Sequence, residues 1–102
     1  MGVSQTVQTI VDQLGGTGRL KAMIGAKDFT ALDNKTLRFR FSAKAKNGAN
    51  VIVITLEPSD TYKVEFFSMR GMNVKPKGAF DDIYADNLRH VIESQTGLYL
   101  KL

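Results

Sequence analysis

Three aspartates near the end of the sequence are its best candidates for metal chemistry. Asp81, Asp82 and Asp86 lie close together, and such a trio could hold Mg²⁺ if a phosphate supplied further ligands. The same carboxylates could instead cap a helix beginning near Asp81 or Asp82, since they accept hydrogen bonds from its free N–H groups. We favour helix capping and predict no metal site and no cofactor.

Nucleophilic catalysis lacks its usual residues. The sequence contains no cysteine, and His90 is its only histidine. His90 follows Arg89 in a predicted helix, two residues from the apolar positions Leu88 and Ile92, so we interpret it as a partly exposed helix residue. Without a second histidine or a thiolate, triads and transition-metal sites lose their common components. We predict that the protein is not an enzyme and has no catalytic residue.

A glycine-rich segment, LGGTGRLK (14–21), could in principle cradle a phosphate with backbone N–H groups beside Arg19 and Lys21. However, the glycines follow a predicted helix, whereas a dinucleotide loop connects a strand to a helix and a P-loop requires Gly-Lys-Ser/Thr. We therefore interpret Gly15-Gly16 as the end of the first helix.

The elements with the clearest signals are strands. In TLRFRFS (36–42), apolar residues alternate with Arg38, Arg40 and Ser42, which predicts one buried and one basic face. Asn47-Gly48 favours a two-residue hairpin, which would pair Phe39 with Leu56. A further strand follows after a loop with an odd number of residues, because an even loop would turn Lys63 into the core. The inward residues of that strand are then Tyr62, Val64 and Phe66.

The remaining elements complete the predicted fold. The spacing of apolar residues from Val3 to Leu14 predicts a helix with Ser4 as a possible N-cap, and a second helix ends at Gly97. Residues 17–34 are poorly determined, although Leu20 to Ile24 could form a short strand, and RGMNVKPKG (70–78) suggests a bulge at Gly71 and a short edge strand ended by Pro76. We predict one α+β domain over residues 1–102: an antiparallel meander of four to five strands with N-terminal and C-terminal helices packed on one face.

A basic surface is predicted on the outward face of this sheet. It could follow a nucleic-acid backbone, single-stranded or duplex, although a merely solvated face is the alternative. The residues concerned are Arg38, Arg40, Lys44, Lys46 and Lys63.

A small apolar group is predicted on the same outward face. Val51, Val53 and Phe67 should cluster there, with Arg40 in the basic rim around them. Apolar residues on an outer sheet face need a cover. Either residues 17–34 pack there, or a second copy of the chain or a foreign protein does.

The composition is that of a globular protein. The 102 residues are 43% hydrophobic and 24% charged with a net charge of +4, as in an ordinary globular domain with a mildly basic surface. The sequence has neither a recognisable secretion signal nor an apolar stretch long enough to span a bilayer. Together with the lack of cysteine, this predicts a cytoplasmic protein without a membrane partner.

Several segments resemble a family of small phage and prophage accessory proteins. They are MIGAKDF (23–29), TLRFRFSAKAKNGANVIVITLEPSDTYKVEFFSMRG (36–71) and IYADNLRHVIESQTGLYLKL (83–102). Their most particular pieces are IGAKDF, the FRF strand, YAD and TGLY. The resemblance implies expression in the cytoplasm of a bacterial host and an accessory role, and it assigns no functional residues.

Three functions stay open from the sequence. The leading hypothesis is a non-catalytic accessory protein that binds a host or phage protein through Val51, Val53, Phe67 and Arg40, for instance to inhibit a host defence, and that could form a homodimer. The alternative is a DNA-binding protein that uses the basic sheet face. A weaker alternative is a binder of small nucleotide ligands, which would require a pocket between the sheet and the helices.

Overall fold

The computed structural model describes residues 5–100, which form three helices and five strands. The helices are α1 (Gln5–Gln13), α2 (Thr17–Ile24) and α3 (Ala85–Thr96). The strands are β1 (Lys27–Asp33), β2 (Thr36–Arg40), β3 (Val51–Leu56), β4 (Tyr62–Arg70) and β5 (Asn73–Ile83). Val3 and Ser4, which we assign to the start of the first helix, lie outside the described residues.

The strands form an antiparallel meander. Their order in the sheet is β1-β2-β3-β4-β5, so each strand pairs with its neighbours in the sequence. Buried side chains of all three helices join one core with one face of the sheet, which we call the inner face. The opposite side is called the outer face. This arrangement confirms the predicted α+β class, with helices at both ends of a meander.

The core at the inner face contains the residues that strand alternation predicts. Phe39 and Phe66 are fully buried, and the ring of Phe39 stacks on Phe29 with centroids 5.2 Å apart. Burying each such side chain contributes on the order of 2–3 kcal/mol. In the described range, no helix has both the length and the apolar character that crossing a membrane requires.

The β2–β3 connection corrects the predicted two-residue hairpin. Phe39 pairs with Ile52 rather than Leu56, and residues 41–50 form a long connection, here called loop 41–50. Asn47-Gly48 does turn the chain, but inside this loop, where Gly48 N–H donates to the carbonyl of Ala45. The register differs by an even number of residues, so every side chain keeps its predicted face.

The β3–β4 connection agrees with the parity argument. Leu56 pairs with Tyr62, which leaves a loop with an odd number of residues between them. Tyr62, Val64 and Phe66 are 4%, 0% and 0% exposed, so all three point into the core as predicted. Lys63 thereby remains outside the core.

Residues 17–34 form a helix and an edge strand, and the predicted short strand over Leu20 to Ile24 is wrong. Leu20 and Ile24 are buried one turn apart on α2, and Gly25 ends this helix in the left-handed conformation at φ 69°. A short apolar run does not by itself distinguish a helix from a strand, and here the i, i+4 spacing decides. Because α2 packs on the inner face, it does not cover the outer face.

The last helix begins later than predicted. Asp81 and Asp82 belong to β5, where Asp82 adopts φ 58° at an irregularity in the pairing with β4. The chain leaves the strand at Tyr84, which is extended and precedes the first helical residue. The aspartates therefore do not cap α3. The predicted end is confirmed, since Gly97 is left-handed at φ 74° and its N–H donates to the carbonyl of Glu93.

Candidate functional site

The predicted outer-face residues lie in two neighbouring rows across the sheet. One row contains Arg38, Val53 and Glu65, and the other contains Arg40, Val51 and Phe67. Val51 is only 4% exposed, whereas the other two apolar residues are half-buried. The structure thus brings the predicted apolar residues together, but they offer a partner little surface.

The predicted cations do not form one strip. Arg38 stands opposite Val53 with Glu65 beyond it in the same row, and Lys63 pairs with Thr55 nearer the other end of the strands. Glu65 places a negative charge inside the row that we predicted to be basic. Of the predicted cations, Arg40 and Lys44 line a common cleft, which is described below.

Lys46 is directed to a different part of the molecule. Its N–H donates to the carbonyl of Thr96 at 2.8 Å, and its side chain lies over Gly97 at the end of α3. It lines a shallow pocket together with His90 and Glu93. This contact joins loop 41–50 to α3 and separates Lys46 from the cations of the sheet.

A two-stranded ribbon extends beyond the other strands at one end of the sheet. It consists of residues 68–77 of β4, β5 and their turn, and we call it the ribbon. Beyond the Val51–Phe67 pair, β3 no longer accompanies β4. Every residue from 70 to 77 is exposed, and Met72 at the tip is 100% exposed. The predicted bulge at Gly71 and strand end at Pro76 are both wrong, because Gly71 lies in the turn and β5 continues to Ile83.

The two faces of the ribbon differ in chemistry. Strand pairing puts Ser68, Arg70, Asn73 and Lys75 on one face and Met69 and Val74 on the other. The polar face lines a cavity of about 250 Å³ with Lys77 and Gly48. The ribbon is therefore amphipathic, with its charged face turned toward loop 41–50.

Asn50 connects the ribbon to loop 41–50. Its side-chain amide donates to the carbonyl of Met69 and accepts from the Met69 N–H, both at 2.8 Å. Its own backbone N–H donates to the carbonyl of Phe67 at 2.9 Å. These bonds continue the sheet ladder past the end of β3 and fix the separation between ribbon and loop.

Between these elements lies a basic cleft. It combines the cavity on the ribbon with an adjoining one of about 410 Å³, which shares Gly48, Ser68 and Arg70 with it. Six of the described lining residues are cationic and none is acidic. The cations are Lys27, Arg40, Lys44, Arg70, Lys75 and Lys77.

Arg40 is the most enclosed of these cations. It forms an ion pair with Asp28 at 3.6 Å, with both side chains partly exposed. Its Nε is buried and has no hydrogen-bond partner among the described residues. A buried donor of this kind is unfavourable unless an acceptor reaches it.

Sequence reasoning missed Lys27, Arg70, Lys75 and Lys77. A hairpin signal in the sequence could have identified the ribbon: Gly71 is a turn residue, and Lys75 and Lys77 alternate with Pro76 in the strand that follows. Lys27 carried no comparable signal, because it joins the cleft only through the pairing of β1 with Arg40.

The residues considered for metal chemistry do not converge. Asp81 and Asp82 lie on β5 and Asp86 in the first turn of α3. Residues 5–100 contain no group of three or more histidine, cysteine or acidic side chains placed to hold a metal ion.

Comparisons with known proteins give no information on the basic cleft, so its geometry alone is used to interpret it. The cleft combines positive charge, enclosure by two anchored segments and an unpaired guanidinium donor. No protein-family model, curated protein or solved structure matches this chain.

Proposed function

We propose that the protein binds nucleic acid through the basic cleft. The observation that carries the proposal is the convergence of six cationic side chains, with no acidic residue among the described lining. Arg40 pairs with Asp28, but the other cations of the cleft repel one another unless an anion neutralises them. A nucleic-acid backbone presents closely spaced phosphates that suit such a row.

The lining chemistry favours contacts with phosphates over stacking on bases. The aromatic residue among the lining side chains is Phe41, which is 3% exposed and belongs to the core. Proteins that hold single strands by stacking present exposed rings to successive bases. The cleft offers charge and backbone groups, so its affinity should be strongly dependent on salt.

The proposal is tested by fluorescence anisotropy with labelled DNA, single-stranded and duplex, over a range of salt concentrations. If four to six phosphates are contacted, the slope of log Kd against log salt should be about 4–5 for duplex and about 3–4 for single-stranded DNA. Lys75→Glu should weaken binding about tenfold or more, because it replaces an attraction to phosphate with a repulsion.

Lys63→Glu provides the matched control. It makes the same change of charge on the outer face, where Lys63 pairs with Thr55 away from the cleft. Binding should change by no more than about threefold, which reflects the altered net charge alone. Equal losses from the two variants, or a lack of binding at low salt, would contradict the proposed cleft. Displacement of the DNA by a mononucleotide would indicate a small-ligand site instead.

Protein binding at the outer face is a second candidate, supported by the continuity of its apolar surface. Half-buried Val53 and Phe67 adjoin the apolar face of the ribbon, where Val74 is 56% exposed. The helices pack on the inner side, so α1, α2 and α3 leave this surface open. We propose a second copy or a host or phage protein as its occupant, with Val53 and Phe67 at the centre of the contact, Val51 beneath them and Arg40 at the rim.

Light scattering tests self-association at this surface. A homodimer should dissociate upon Val53→Lys, because a desolvated ammonium group would lie in the contact. Arg38→Lys, in the same row, serves as the control. A monomeric wild type that captures no protein from host lysate removes this second candidate.

A further inference from the structure

Met72 at the ribbon tip is not explained by folding. Arg70 pairs with Asn73, so the turn consists of Gly71 and Met72, and only Gly71 has a positive φ, of 59°. This pattern fits a type II′ turn, which requires glycine at its first central position and tolerates most residues at the second. Met72 is nevertheless a large apolar side chain that is 100% exposed.

The residues around Met72 are basic, and they lie on the ribbon, which extends beyond the other strands of the sheet. Residues 70–77 contain Arg70, Lys75 and Lys77 and no acidic residue, and all eight positions are exposed. An apolar tip flanked by cations is the composition of an element that enters a nucleic-acid groove. Phosphates attract the flanks, while the tip reaches the base pairs.

We infer that the ribbon enters the minor groove of duplex DNA and that the Met72 side chain wedges between two base pairs. This inference rests on the proposed function and specifies its substrate as duplex. Apolar wedges that partly unstack a base step kink the duplex by roughly 20–90°. Methionine suits this role because its unbranched thioether adapts to an irregular gap.

The ribbon is anchored to the rest of the sheet at its base. The two bonds between Asn50 and Met69 hold the base of the ribbon against loop 41–50. The Phe66 ring, which is fully buried, meets Phe80 edge-on at 6.0 Å beneath it. A side chain can separate two base pairs only if the element that carries it stays fixed. These contacts hold the base of the ribbon against the core.

The first measurement is bending of a duplex of about 25 base pairs that carries a donor and an acceptor dye at its ends. Wild-type protein should raise energy transfer, because a kink brings the ends together. Met72→Ala should abolish this rise, whereas Met72→Leu should retain most of it. Since Met72 is fully exposed in a turn, neither substitution should impair folding.

The second measurement is preference for a duplex with a mismatch or a one-nucleotide gap. Unstacking such a step costs less, so wild type should bind it about tenfold more tightly than intact duplex. Met72→Ala should bind both duplexes with similar affinity. Without the methionine side chain the protein does not unstack a base step, so the lower cost of unstacking at a mismatch or gap gives no advantage.

The outcomes separate this inference from the proposed function. If Met72→Ala bends DNA as wild type does, or if wild type prefers single strands, the wedge is wrong while the basic cleft stands, provided that Lys75→Glu still weakens binding. If wild type binds no DNA at low salt, both are wrong. If Met72→Ala loses only binding to a protein, the tip serves a protein partner instead.

Discussion

The inner face of the sheet and the ribbon differ in burial and in residue type, although β4 contributes to both. Along β4, Val64 and Phe66 are fully buried under the helices, whereas Arg70 at the end of the same strand is exposed. Packing determines which residue types fit at the inner face. No comparable demand acts on residues 70–77, which are exposed, so packing does not determine their cations or Met72.

The comparison can be tested first where the difference in stability should be largest. Phe39→Ala removes a fully buried ring that stacks on Phe29, and should lower the free energy of unfolding by about 3–5 kcal/mol. Val74→Ala in the ribbon should change it by less than about 0.5 kcal/mol. Urea unfolding followed by circular dichroism measures both. Similar losses would show that the ribbon is part of the folding core.

Two left-handed glycines offer the next test. Gly25→Ala would force a Cβ against the side chain of Ser42 at φ 69°, whereas Gly71→Ala at φ 59° meets no atom within 4 Å. The Gly71 variant should lose about 1–2 kcal/mol from backbone strain alone, and the Gly25 variant about 1–3 kcal/mol more from the clash.

Adding Ser42→Ala to the Gly25 variant should recover part of its loss of stability. Ser42 lies where loop 41–50 meets α2, and its N–H donates to the carbonyl of Ile24. Thermal denaturation of the two single variants and the double variant tests this. If both glycine variants lose equal stability, the close approach between α2 and the loop is wrong.

Asn50 lies at the boundary between the two regions, so its substitution should have an intermediate effect. Asn50→Ala leaves the N–H and carbonyl of Met69 without their side-chain partners, and should cost about 1–3 kcal/mol. Hydrogen exchange at Met69 should accelerate more than exchange at Val64. Asn73→Ala, which is exposed in the ribbon, is the control and should leave both rates unchanged.

The smallest expected effect is at the opposite end of the sheet, in the β1–β2 turn. The pKa of Asp33 is lowered because its carboxylate accepts hydrogen bonds from the Lys35 N–H and from Thr36. A lowered folded-state pKa means that this stabilisation is present above the ordinary aspartate pKa of 3.8 and is lost as the pH falls through the lower folded-state pKa.

Asp33→Asn keeps an acceptor for the Lys35 N–H but removes the titration. Wild type should therefore lose slightly more stability than this variant between pH 5 and pH 2. Unfolding curves at both pH values measure the difference. An identical pH dependence would show that the hydrogen bonds at Asp33 do not favour its ionised form.

The sequence predicts the inner face well because strand alternation depends only on parity. Phe39 and Phe66 point inward whether or not the register is known, and the Lys63 argument alone selects an odd loop after β3. The β2–β3 register could not be obtained in this way. Asn47-Gly48 is a local turn signal, but Lys46 and Ser42 bind the distant helix ends at Thr96 and Ile24, which holds loop 41–50 open.

The candidate site was only partly predictable for a similar reason. Arg40 and Lys44 could be assigned to an exposed basic surface from alternation. Their grouping with Lys27, Lys75 and Lys77 depends on pairings between segments far apart in the sequence. Pro76 also suggested the end of a strand, whereas an edge strand tolerates proline where its missing N–H would face solvent.

The irregular course of β5 has a consequence for how copies of the protein meet. Its free edge is long, but Pro76 lacks an N–H and the pairing with β4 shifts at two places, near Lys77 and near Asp82. A strand from another molecule would find neither a straight edge nor a complete set of donors, so uncontrolled fibre-like growth along this edge is disfavoured. Pairing of two copies through the β5 edge is disfavoured for the same reason.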